Sequence, residues 1–211
     1  MLRSKLAPGT RSALEHGGVA PLFVAADADL DAAVAAITKG GYYHAGQVCV
    51  SVQRVFAEQS VARELAERVA AAAKALKVGD PAAEDTDVGP LIRPDEVERI
   101  HAWVTEATRQ GGGLMCGGKP LPDNCYAPTL LFDPPAEARV STEEIFGPVV
   151  CVYPYADLAQ AIERANSLPY AFQAAVYTDS LRIAEQVFAG ANASAVMVNQ
   201  HTAFRTDGMP F

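Results

Sequence analysis

APLFVAADADLDAAVAAITKGGYYHAGQVCVSVQRVFA, residues 20–57, decides the fold class of this chain. It opens with an unbroken apolar run, 20–26. Asp27 and Asp29 follow, two carboxylates suited to the N-cap and first turn of a helix, where unpaired backbone N–H groups and the positive end of the helix dipole favour them. Residues 30 to about 39 carry a helical pattern, and the pair Gly40-Gly41 predicts its stop. Residues 52–57 read as a second strand. A strand, a helix and a strand in that order predict a β–α–β unit, the building block of a parallel sheet.

The alternation continues along the chain. Ser60 is the expected N-cap of the next helix, in which Val61, Leu65, Val69, Ala72 and Leu76 form one apolar stripe before a stop at Gly79-Asp80-Pro81. A further helix is predicted over 94–109, with Val97, Ile100, Val104 and Ala107 on one face and the glycines 111–113 at its end. Strands at 129–132, 149–153, 173–177 and 195–199 alternate with helices near 157–166 and 180–189. The Pro-containing stretch 120–135 reads as the longest irregular segment, an insertion or edge hairpin. The expectation is one α/β domain with a largely parallel open sheet flanked by helices.

Composition narrows the function. A chain of 211 residues buries roughly 70% of its unfolded surface, enough for a core without staples. Hydrophobic residues make up 50% and charged residues 20%, a balance that disfavours disorder. The formal net charge of −8, from 25 acidic against 17 basic residues, and the lack of a Lys/Arg-rich run disfavour nucleic acid as a partner. No run approaches the roughly 18 apolar residues of a membrane helix, and MLRSKLAPGT is not a signal peptide. Four cysteines without a CxxC pair disfavour a disulfide scaffold and a zinc site, which makes a reducing, cytoplasmic setting the expectation. The four histidines, His16, His44, His101 and His201, lack metal-ligand spacing, so no metal is expected. There is no GxGxxG and no GxxxxGK[ST].

Cys49 stands apart by its setting. GQVC, 46–49, follows a glycine-terminated helix and precedes a strand, which places a thiol in a loop at a junction where α/β domains present reactive groups. The competing reading is a buried, inert cysteine, which fits Cys116, Cys125 and Cys151 better. His44 lies close enough in sequence to raise a Cys–His hydrolase, but such pairs meet in space rather than along the chain.

GQVC, together with LEHGG (14–18), EEIFGPV (143–149), VGDP (78–81), GPLI (89–92) and the terminal MPF (209–211), resembles the aldehyde dehydrogenase superfamily in order and spacing, over essentially the whole chain. The resemblance implies the catalytic-domain fold of that family and assigns roles. Cys49 matches the nucleophile of GQxC. Glu15 matches the general base of LELGG, with His16 in place of the usual aliphatic residue. Glu144 matches a contact to the nicotinamide ribose, and Phe146 packs beside that ribose.

The implied reaction is oxidation of an aldehyde to a carboxylic acid with NAD or NADP. A thiolate attacks the aldehyde carbon, the thiohemiacetal gives up hydride, and water deprotonated by a carboxylate hydrolyses the thioester. A small-molecule aldehyde is the implied partner, and the enzyme is a homo-oligomer. Two other readings stay open. One is a CoA-acylating relative, which Glu15 disfavours because a hydrolytic base is of little use there. The other is a non-catalytic domain that keeps the fold, which Cys49 and Glu15 together disfavour.

Chains of the resembled family are more than twice as long. Their amino-terminal dinucleotide-binding domain, the asparagine that helps stabilise the oxyanion and the carboxy-terminal oligomerisation segment have no counterpart in these 211 residues. The 211 residues alone are therefore expected to be nearly inactive. In HTAFRTDGMPF, 201–211, the loop before the terminal PF corresponds to the mouth of the family's aldehyde tunnel. Arg205 there is a planar, permanently charged fork suited to a carboxylate, phosphate or phosphonate, with His201 as a second donor. The competing reading pairs Arg205 with Asp207 at the surface.

Overall fold

The computed structural model describes residues 3–12, 18–168 and 172–208. Glu15 and His16, with most of LEHGG, and the terminal MPF lie outside the described residues. Among those described, the strands are β1 (Pro21–Val24), β2 (Arg54–Glu58), β3 (Gly113–Cys116), β4 (Thr129–Phe132), β5 (Val149–Tyr155), β6 (Gln173–Tyr177) and β7 (Ala195–Val198). They form one sheet in the order β3-β4-β5-β2-β1-β6-β7, parallel throughout except for the antiparallel edge pair β3–β4. The helices α1 (Leu30–Tyr42), α2 (Gln59–Ala75), α3 (Pro94–Arg109), α4 (Arg139–Thr142), α5 (Leu158–Asn166) and α6 (Leu181–Gly190) flank it. The expected α/β class holds. No helix among the described residues is long and apolar enough to cross a membrane.

A parallel sheet covered by helices buries both faces of its inner strands, and β1, β6 and the first five residues of β5 are buried throughout. Phe23, Phe56 and Tyr153 occupy matching register positions on β1, β2 and β5 and stack with successive centroid separations of 5.4 and 5.4 Å. Such offset stacks add favourable ring contact to burial. Tyr153 closes the ladder with a 2.8 Å hydrogen bond to Ser141 Oγ.

Helix boundaries depart from the sequence reading where packing intervenes. Asp29 caps α1 as expected, accepting from Asp31 N and Ala32 N, but Gly40 and Gly41 do not end it. The helix runs through them to Tyr42 because their missing side chains make room for the sheet. A Cβ at Gly41 would overlap Val150 Cγ2, and one at Gly40 would stand 2.8 Å from Val52 Cγ2. Glu58 rather than Ser60 caps α2: its carboxylate accepts from Ser60 N at 2.8 Å. The buried stripe of α2 is Ala62, Leu65, Ala66, Val69, Ala70 and Ala73, turned about one residue from the predicted stripe so that small alanines meet the sheet. That helix ends at Ala75, before the Gly79-Asp80-Pro81 stop.

Among the described residues the longest irregular segment is 76–93, braced by a parallel bridge between Val78 and Val88, and not 120–135. The latter contains β4 and lies in the antiparallel edge hairpin. By contrast α3, β4 and β6 begin and end where their patterns predict.

Topology fixes where the site forms. Gly18, Cys49 and the 143–148 segment each precede a strand: β1, β2 and β5 in turn. These three strands are neighbours and parallel, so the three loops converge at the amino edge of the sheet. Open α/β sheets ordinarily hold ligands at the carboxyl ends of their strands. The junction expected from that rule is real, but it lies at the opposite edge.

Candidate functional site

Three consecutive residues in the left-handed region, His44 (φ 50°), Ala45 (φ 55°) and Gly46 (φ 67°), swing the chain from the end of α1 into the cysteine turn. Only the third is a glycine, and a Cβ there would overlap the carbonyl of Gly147. Non-glycine residues in this region cost about 1–2 kcal/mol each and persist where surroundings over-determine them. Ser51 N donates to Val48 O at 2.9 Å, closing a turn around Cys49. Ser51 Oγ reaches back 3.1 Å to Gly40 O, satisfying a carbonyl near the end of α1. The Cys49 thiol is half-buried. Burial first, and then the neighbouring Cys49, raise the Tyr43 phenol above its ordinary pKa.

Gln47 binds this turn to the segment that carries GPLI. Its amide donates to Pro90 O at 3.2 Å and accepts from Ile92 N at 2.9 Å. Gly79 N donates to Val88 O, so VGDP is braced against the residue that leads into GPLI. Between these loops and Phe146 opens a cavity of about 770 Å³ lined by His44, Gln47, Val48, Pro81, Ile92 and Phe146, among others. Its size suits a small molecule or part of a cofactor. Four motifs scattered through the sequence therefore meet at one opening.

Phe146 is 42% exposed and sits at φ 50°, a costly backbone for an aromatic residue. Its neighbour Glu144 is half-buried and accepts from Gly18 N at 3.2 Å, joining EEIFGPV to the last residue of LEHGG. Burial raises the Glu144 pKa; the Gly18 N–H and Arg99 act against that rise. Arg99, stacked over Trp103 and paired with Glu96, donates to Ile145 O at 2.6 Å and steadies the loop.

The structure places the remaining expected residues less uniformly. His201 packs on Gly40, and its Nδ1 is buried without a hydrogen-bond partner. Burial, and then Lys39, lower its pKa, which favours the neutral ring. Thr202, fully buried, donates to Val50 O at 2.6 Å and pins the 201–204 segment beside the cysteine turn. Arg205 is exposed.

Three contributors had no role in the sequence reading: Thr202, Gln53 and Arg54. The Arg54 guanidinium is buried and donates to Val19 O (3.1 Å) and Ala165 O (2.9 Å), holding the segment that leads from Gly18 into β1. Burial pushes its pKa down to about 10. A basic residue inside a strand pattern was the available signal for Arg54. Nothing local marked the other two.

Burial also separates the thiols. It raises Cys116 and Cys125 and pushes Cys151 up to about 12, so each holds little thiolate near neutral pH. Cys49 is the one cysteine of the four that is not buried. Iodoacetamide under native conditions is expected to modify Cys49 at least about tenfold faster than the others. Peptide mass mapping reads the result, and faster modification of any other thiol would overturn the distinction.

The aldehyde dehydrogenase family profile matches residues 2–211. The chain is 34% identical over 100% of its length to 3-sulfolactaldehyde dehydrogenase of Priestia megaterium, of which it covers 44%. It superposes on the crystal structure of glyceraldehyde-3-phosphate dehydrogenase from Methanocaldococcus jannaschii complexed with NADP with TM-score 0.93 and 36% identity, covering 100% of this chain and 45% of that one. Aldehyde dehydrogenase 21 from Physcomitrella patens, in complex with the reaction product succinate, matches with TM-score 0.88 and 37% identity, covering 92% of this chain and 40% of that one. The chain spans less than half the length of these relatives.

Proposed function

The chain belongs to the aldehyde dehydrogenase family, and from that premise we propose that it supplies the thiol-bearing part of an NAD- or NADP-dependent enzyme that oxidises an aldehyde to a carboxylic acid. The observation that carries this reading is the convergence of the Cys49 turn, Gly18 and the Glu144–Phe146 loop at one edge of the sheet, beside one cavity.

Cys49 attacks the aldehyde carbon as thiolate. Sulfur suits both half-reactions, being a strong nucleophile and a tolerable leaving group. The nicotinamide, when bound, supplies the hydride acceptor for the oxidation. Glu144 and Phe146 fit the cofactor's ribose: a half-buried carboxylate for its hydroxyls, and an exposed ring held at φ 50° at the cavity mouth. Glu15, outside the described residues, takes the proton of the water that hydrolyses the Cys49 thioester. Gly18, three residues on in the chain, donates its N–H to Glu144, so the described end of LEHGG meets the cofactor loop.

The test is aldehyde-dependent reduction of NAD or NADP by the full-length protein, with the acid measured in the absence of CoA. Acid formed in step with reduced cofactor supports the reading, and acyl transfer only when CoA is supplied would replace it. Turnover by neither route would leave a non-catalytic domain.

The substrate is an aldehyde with an anionic tail. Three relatives accord with it, since sulfolactaldehyde, glyceraldehyde 3-phosphate and the bound product succinate all carry an anionic group, although the betaine aldehyde named for other relatives is cationic. Arg205, exposed just beyond the pinned 201–204 segment, is the charged group proposed to meet it, with His201 as an uncharged second donor. Replacing Arg205→Leu is expected to lower kcat/KM for an anionic aldehyde by about tenfold or more, the loss of a charge-assisted contact, while a neutral aliphatic aldehyde is little affected. Equal effects on both substrates would return Arg205 to a surface role.

A further inference from the structure

Gln53 stands at the head of β2, on the strand side of the cysteine turn, and is 5% exposed. Its backbone is anchored to the sheet, with Gln53 O accepting from Cys151 N at 2.8 Å. Its side chain leaves the sheet and meets the 140–145 segment at three points. Nε2 donates to Glu143 O at 2.8 Å and to Val140 O at 3.1 Å, while Oε1 accepts from Ile145 N at 2.9 Å. Val140 O is near the carboxyl end of α4, where helix carbonyls lack partners within the helix. Glu143 O and Ile145 N are the backbone groups on either side of Glu144. The amide therefore spans Glu144 from both flanks.

An amide is the side chain this geometry demands. It offers two donors and an acceptor from one planar group, and both donors and the acceptor are used. The reversed orientation would turn oxygen toward two carbonyls and nitrogen toward an N–H. A carboxylate keeps the bond to Ile145 N but opposes both carbonyls, and an apolar side chain of the same length makes none of the three bonds.

We infer that Gln53 is a positioning residue for the cofactor: its bonds to Glu143 O, Val140 O and Ile145 N set the backbone that presents Glu144 and Phe146 to the ribose. The inference rests on the cofactor role proposed above for that loop. The strained Phe146 backbone, φ 50°, begins one residue beyond the last of these bonds. Ile145 O is held separately by Arg99, so Gln53 and Arg99 grip the two ends of one residue. Gln53 reaches the cofactor only through this loop. Its effect should fall on cofactor affinity and spare the affinity for aldehyde.

The experiment uses the full-length protein and the variants Gln53→Met, Gln53→Glu and Glu144→Gln. Calorimetry gives the Kd of NAD and NADP, steady-state kinetics give the aldehyde KM, and hydrogen exchange follows the 143–147 segment. Gln53→Met is expected to raise the cofactor Kd about tenfold and to speed exchange at Ile145 N, with the aldehyde KM moving by less than about twofold. Gln53→Glu should lose affinity at neutral pH and regain part of it on acidification, because a protonated carboxyl donates again while its carbonyl still accepts. That variant carries the test if Gln53→Met does not fold, and a pH response no different from wild type would overturn the inference. Faster exchange at Ile145 N with an unchanged cofactor Kd would overturn it too, provided Glu144→Gln weakens the cofactor. If Glu144→Gln also leaves the Kd unmoved, the cofactor role of the loop fails, and the inference falls with it.

Discussion

Replacing Cys49 by serine in the full-length protein is expected to reduce aldehyde oxidation by roughly four orders of magnitude or more, with the melting temperature and cofactor affinity unchanged. Serine fits the half-buried position in the 48–51 turn, so the backbone bond from Ser51 N to Val48 O survives. What is lost is the sulfur nucleophile. A serine hydroxyl needs an adjacent base. Burial, and then Cys49, hold the neighbouring Tyr43 phenol in its protonated form, so it does not serve as that base. Glu15→Gln is expected to act on the second half-reaction instead: hydride transfer persists for a single turnover, and the Cys49 thioester accumulates because no carboxylate deprotonates the attacking water. Rapid quenching and peptide mass mapping would find that acyl group on the peptide containing Cys49. Activity in Cys49→Ser above about one percent, or an acyl group on Cys116, Cys125 or Cys151, would refute the assignment.

The periodic part of this fold was legible because local pattern and tertiary packing agree in it. Residues 94–109 pair a proline start with one apolar face, and Val97, Ile100, Val104 and Ala107 are the residues that α3 buries. Disagreement arose where a neighbouring element overrode local chemistry. Gly40-Gly41 has the composition of a helix stop, yet it serves close approach to Val52 and Val150, residues outside its own helix. Glu58 displaced Ser60 as the cap of α2 because its carboxylate, one residue before the helix, accepts from the N–H of Ser60 itself, which lies inside the first turn.

The candidate site divides along the same line. Cys49, Glu144 and Phe146 lie in short motifs whose wording survives in sequence, and the structure brings those motifs to one edge. Gln53, Arg54 and Thr202 act through contacts 87 to 152 residues away along the chain, from Gln53 to Val140 at one extreme and from Thr202 to Val50 at the other, if the nearer Arg54–Val19 bond is set aside. No local periodicity encodes such contacts. The choice of sheet edge was also hidden, since it depends on which strands become neighbours. The strand order places β5, β2 and β1 side by side although the middle of the chain separates β2 from β5.

Gly46→Ala should produce the largest loss of stability of any single methyl addition near the site, about 3–5 kcal/mol. Two costs combine. Alanine at φ 67° is strained by about 1–2 kcal/mol. The new Cβ would also overlap the Gly147 carbonyl oxygen and lie 2.5 Å from its carbon and 3.1 Å from Pro148 N, all backbone atoms that no rotamer change can move aside. Relief requires the cysteine turn and the 143–148 segment to separate, which disrupts the cavity between His44 and Phe146. Gly111→Ala isolates the first cost: its φ is 109° and its added Cβ meets nothing within 4 Å, so about 1–2 kcal/mol is expected there. Denaturant unfolding of the two variants measures the difference directly. Against a total stability of about 5–15 kcal/mol, that loss removes between a fifth and nearly all of the folding free energy. Where it remains folded, Cys49 labelling and cofactor affinity should change together, because one steric wedge moves both loops. Equal stability of the Gly46→Ala and Gly111→Ala proteins would mean that the two loops do not depend on their contact, and the convergence on which the proposed active site rests would lose its physical basis.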